Sequence, residues 1–113
     1  MVGRSYKIKY LPLFEADLME IVEYIIFNLK NPKAAADLVS DVERSILERS
    51  NCPLAFEAFE AFESVRDREY QYYRIYVRNY VIFYVVMDNS HDCDGIMEVR
   101  RILYNKRKRD KYL

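Results

Sequence analysis

Residues 73 to 86 read YRIYVRNYVIFYVV, and no other stretch limits the fold so tightly. The first half alternates, with Tyr73, Ile75 and Val77 set against Arg74, Tyr76 and Arg78. Successive strand side chains point to opposite faces, so a period of two belongs to a half-buried strand. The second half, from Tyr80 onward, is almost wholly aliphatic and aromatic, as a central strand covered on both faces should be. Arg78 and Asn79 lie between the halves. Asn tolerates the left-handed backbone of a tight turn, so the segment predicts a β-hairpin.

The rest of the chain supplies what covers it. Residues 5 to 11, SYKIKYL, alternate again and predict an N-terminal strand. Pro12 opens a helical pattern in which Leu18, Ile21, Val22, Ile25 and Leu29 form the apolar stripe. Asn31 and Pro32 mark a boundary, because Asn caps a helix and Pro is tolerated at its first position. A second helix follows to about Ser50, with Ala35, Leu38, Val39, Val42 and Ile46 facing inward; Cys52-Pro53 ends it. Residues 55 to 63, AFEAFEAFE, predict a covering loop or short turn of helix that packs its Phe residues on the core. After the hairpin comes a polar turn, DNSHDCDG, then a strand over residues 96 to 103 and a basic tail, NKRKRDKYL. The predicted order is β-α-α-β-β-β, an α+β fold with a helical hairpin on one face of a mainly antiparallel sheet. The 113 residues fit one domain, 1–113.

Composition narrows the function. The apolar run VIFYVVM is too short to span a bilayer, and the N-terminus has no secretory pattern, so a cytoplasmic protein without membrane contact is expected. Cys52 and Cys93 then read as reduced thiols. His91 stands beside Asp92, Cys93 and Asp94, but that spacing matches no metal site, and a Cys–His nucleophile pair would lack an orienting partner. No Gly-rich phosphate loop is present, so neither a metal nor a cofactor is expected. Net charge is zero, yet it is unevenly spread. Acids gather in residues 15 to 23 and 57 to 69, while Arg100, Arg101, Lys106, Arg107, Lys108, Arg109 and Lys111 crowd the C-terminal end. A basic tail of this kind suits phosphate contact.

The element order, together with YRIYVRNYVIFYVV, EVRRILYNKR, YKIKYLP and NPKAAADL, resembles the RelE/ParE family of toxins from type II toxin–antitoxin modules, also known as plasmid stabilisation proteins. The resemblance covers almost the whole chain. It implies a sheet with helices on one face and functional residues projecting from the other. If Tyr73, Ile75 and Val77 pack under the helices, Arg74, Tyr76 and Arg78 stand on that other face.

Some family members cleave mRNA on the ribosome without metal, using a base, phosphate-stabilising cations and an acid. By resemblance, their strand lysines fall on Arg74 and Tyr76 and their C-terminal arginine near Arg107. The role of their C-terminal tyrosine passes to Tyr112 or Tyr104. Tyr76, Arg78, Lys106, Lys108 and Arg109 would bind nucleic acid or the target, and Arg74, Arg78 and Arg101 would face an acidic antitoxin. The nucleases carry an arginine on their third strand; here Val81 takes that place. Losing one such group costs about 2.7–4 kcal/mol of transition-state stabilisation. The NYVIFY form is instead similar to the ParE branch, which inhibits DNA gyrase by binding, although Tyr104 replaces that branch's histidine. The readings are therefore an mRNA endoribonuclease, toward which the basic tail tilts the balance, a gyrase inhibitor, or a non-toxic binding module.

Overall fold

The computed structural model describes residues 6–54, 71–87 and 95–105. Strand β1 (Lys7–Tyr10) leads into helix α1 (Pro12–Glu23), a π-helical turn (Tyr24–Asn28), helix α2 (Pro32–Arg49) and strands β2 (Tyr73–Val77), β3 (Tyr80–Met87) and β4 (Ile96–Tyr104). The sheet order is β1-β4-β3-β2. β2–β3 and β3–β4 are antiparallel, and β1 lies parallel to β4. The expected α+β order is therefore the observed one.

Helix α2 begins and faces inward as its sequence predicts. Pro32 occupies its first turn and the Asn31 side chain accepts a hydrogen bond from the Ala34 N–H at 3.1 Å. Ala35, Leu38, Val42 and Ile46 are buried. They meet the helix-side faces of the strands: Tyr73, Ile75 and Val77 of β2, Ile82 and Tyr84 of β3, and Met97, Val99 and Ile102 of β4.

The first helix differs from expectation. Its pattern predicts one helix to Leu29, but after Glu23 the backbone widens into the π-turn, where the Leu29 N–H bonds to the Tyr24 carbonyl at 3.2 Å. The extra residue in that turn shifts the helical phase. Ile25 stays buried while Leu29 is 56% exposed, and Phe14, at the helix start, is buried.

Two further features shape the sheet. At the β2–β3 turn the left-handed residue is Arg78 (φ 55°), not Asn79. In the β3–β4 ladder the register jumps between Phe83, opposite Arg101, and Tyr84, opposite Val99. Arg100 is the extra residue of this β-bulge. Gly95 opens β4 against Tyr6: a Cβ there would sit 2.6 Å from the Tyr6 ring and 2.9 Å from the Met87 carbonyl oxygen.

Candidate functional site

The ladder registers assign every strand residue to a face. Directly opposed residues share a face, and the helix face carries Ile75, Ile82 and Ile102 in one row. The other face carries Lys7 and Lys9 from β1, Arg74 and Tyr76 from β2, Val81, Phe83, Val85 and Met87 from β3, and Glu98 and Leu103 from β4. Arg74 and Tyr76 thus stand where their alternation places them. The Arg74 guanidinium lies 5.6 Å from the Tyr76 ring centre, and Tyr76 is 54% exposed.

Val81 sits between Tyr76 and Leu103 in the paired register, and it is buried. Val81 is therefore an apolar bridge between two outer side chains.

A charged network also occupies this face. The Glu98 carboxylate, although buried, accepts hydrogen bonds at 2.8 Å from Arg100 Nε, with Nη2 also at 2.8 Å, and Lys9 Nζ lies 3.9 Å away. Arg100 Nη1 donates to the Tyr72 hydroxyl at 3.0 Å, and the Tyr72 ring meets Phe83 edge-on at 6.5 Å. Burial alone would lower the Arg100 pKa; the bonds to Tyr72 and Glu98 outweigh it and leave the value raised. Sequence reasoning missed Lys9, Tyr72, Glu98 and Arg100 as a group. Glu98 and Arg100 share a face at spacing two, which was a legible signal. What brings Tyr72 and Lys9 to them is strand order.

Arg78 and Arg101, expected to await an antitoxin, have partners within the chain. Arg78 lies in the turn beyond β2, where strand alternation no longer governs direction. Its Nε and Nη2 each lie 2.7 Å from Asp41 Oδ2 on α2. Asp41 also accepts from Arg44, and its hydrogen bonds to Arg78 first and Arg44 second hold its carboxyl below the ordinary value. Arg101 donates from Nε and Nη2 to the two Asp17 oxygens, at 2.6 and 3.0 Å. Asp17 also accepts from the Ile102 N–H at 3.2 Å.

Tyr104 lies directly opposite Tyr80, on the helix side, two residues beyond the core residue Ile102. The two rings meet edge to face at 5.9 Å. Tyr80's hydroxyl is pushed up mainly by burial and then by the neighbouring Tyr104 and Tyr24 phenols. Arg74 and Tyr104 therefore project from opposite faces of the sheet. Lys106, Arg107, Lys108, Arg109 and Tyr112, with His91, Cys93 and the AFEAFEAFE repeat, lie outside the described residues. Cys52 is an exposed free thiol. Among the described residues no group of acids, Cys or His could hold a metal, and no helix is long and apolar enough to cross a membrane.

No curated protein matches the chain. The family model for the ParE toxin of the type II toxin–antitoxin system, parDE, matches residues 8–109. That span runs from β1 past the end of β4 and takes in the hairpin that first constrained the fold. The chain belongs to the ParE toxin family, within the RelE/ParE toxins of type II toxin–antitoxin modules.

Proposed function

We propose that this chain is a toxin that acts by binding its target, as a ParE-type inhibitor of DNA gyrase, and that a cognate antitoxin neutralises it. The observation that carries this reading is Val81. It is buried between Tyr76 and Leu103, where RNA cleavage would need a cation beside the phosphate. A second observation agrees. Arg74 and Tyr104, the phosphate and proton-transfer candidates among the described residues, lie on opposite faces. A group acting in proton transfer must come within hydrogen-bond reach of the reacting atoms.

The mRNA-cleavage reading draws its support from a different place. Glu98 and Arg100 put a carboxylate and a cation on the same face as Arg74. That carboxylate is already engaged by Arg100, with Lys9 nearby, which favours a structural role.

One purified preparation tests both readings. With gyrase and relaxed plasmid, the expected result is loss of supercoiling or accumulation of cleaved plasmid. In a reconstituted translation reaction, 5′-end mapping should find the message intact. New ribosome-dependent cuts that disappear in Arg74→Ala, with gyrase unaffected, would overturn the proposal.

A further inference from the structure

A groove opens on the helix side of the molecule, where the end of β1, the start of α1 and the C-terminal half of α2 meet. Phe14, Val42 and Ile46, all buried, form its floor, and Tyr10, Leu18 and Leu47 form its walls. The Tyr10 and Phe14 rings stack at 5.5 Å, which holds the aromatic wall in place. Leu47 is 59% and Tyr10 37% exposed, so the described residues leave apolar wall uncovered. The volume is about 280 Å³. Drug-sized ligands fill about 300–1,000 Å³, so the groove has room for one large side chain. Tyr10 pairs with Val99, a helix-side residue, so the groove and Arg74 lie on opposite sides of the sheet.

Charge decides which side chain that is. Glu15 and Glu43 line the same groove, both are exposed, and neither joins an ion pair among the described residues. Glu15 has a reason of its own to be there, because it lies in the first turn of α1, where the helix dipole favours an acid. Glu43 lies inside α2 with no basic residue three or four positions away, so neither the dipole nor a helical ion pair accounts for it. Burial, and after it Glu43, raises the Tyr10 phenol pKa, so Tyr10 stays neutral beside the carboxylate. A polypeptide with acids beside its apolar residue would be repelled by both glutamates, whereas one with Lys or Arg there is complementary to them.

We infer that this groove docks a partner polypeptide through one large apolar side chain flanked by Lys or Arg. The apolar side chain leaves water for the surface of Phe14, Ile46 and Leu47, and the flanking cations meet Glu15 and Glu43 at the rim. The groove is separate from the Arg74 face, so its occupancy does not depend on which target the toxin has.

The test titrates the whole folded protein with acetyl-Lys-Phe-Lys-amide and follows side-chain signals by NMR. Two control peptides separate charge from apolar contact: acetyl-Glu-Phe-Glu-amide reverses the charge, and acetyl-Lys-Ala-Lys-amide removes the large side chain. Saturable shifts centred on Tyr10, Phe14 and Leu47, and absent with either control, are expected. Glu43→Gln alters an exposed helix position; it should weaken binding by roughly two- to fivefold, toward the upper span of an exposed ion pair, and leave the thermal midpoint unchanged. Leu47→Ala, also at an exposed position, should weaken binding by roughly threefold or more through lost apolar contact. An equal response to either control peptide, non-saturating shifts, or unchanged affinity in both variants would each overturn the assignment. So would movement of the Tyr10 and Phe14 signals, with no peptide present, in the full chain carrying Lys108→Gln and Arg109→Gln, because the protein's own basic tail would then be the occupant.

Discussion

Asp17 accepts two hydrogen bonds from Arg101 and one from the Ile102 backbone, and is itself buried. Hydrogen bonds to a charged group contribute about 1.5–3 kcal/mol each, and a buried donor left without a partner costs extra. Asp17→Ala should therefore lower unfolding free energy by roughly 2–4 kcal/mol in a urea titration. Asp41 offers a contrast, because its ion pairs are solvent-exposed and its effect reads best as titration. Arg78 and Arg44 depress its pKa in the folded state, so this stabilisation is fully present above the unfolded-state value. It fades as pH falls through the folded value. Following the Asp41 carboxyl by NMR, Arg78→Ala should move its titration upward, toward the ordinary carboxylate range. A third residue, Tyr84, is fully buried, with its hydroxyl donating to the Pro53 carbonyl at 2.7 Å and accepting from Arg49 at 3.0 Å. Tyr84→Phe should cost about 1–2 kcal/mol, measured by thermal unfolding.

Among the elements, those set by local chemistry were legible. The Asn31-Pro32 pair marks the start of α2, and the Asn31 cap is formed as that pair implies. Asn31→Ala should cost about 1 kcal/mol, and Asn31→Asp far less, since both Asp and Asn are good caps. The alternation of β2 also gave its faces correctly, with Tyr73, Ile75 and Val77 buried. Period-based reading fails where the backbone inserts a residue. The π-turn moved Leu29 out to solvent, and no residue in YIIFN announces it. The bulge at Arg100 likewise lets Arg100 bond Glu98 while the next residue, Arg101, reaches Asp17 on α1. Arg78 left the face expected of it because the strand stops at Val77 and a left-handed turn residue redirects the chain.

For the molecule as a whole, the fold class and the toxin family could be read from the hairpin and the order of elements, while the pairing of distant residues could not. Nothing near Asp17 in sequence points to Arg101, and nothing near Lys9 points to Glu98; parallel pairing of β1 with β4 brings both contacts about. Val81 bears on both fold and function. Val81→Arg would overpack the apolar bridge while its guanidinium reaches out beside the exposed Tyr76 and Leu103, so a loss of about 1–3 kcal/mol is expected in urea unfolding.

β1 and β4 come from opposite ends of the described chain, with Lys7 opposite Ile96 and Tyr10 opposite Val99. β4 also lies between β1 and β3, so the last of the described strands to be made is an inner one. During synthesis the helical hairpin and the β2–β3 hairpin emerge first, without the strand that joins β1 to them. Such a chain has no continuous sheet on which to close its core. A message cut short before Ile96 therefore yields a fragment that lacks the strand joining β1 to the β2–β3 hairpin.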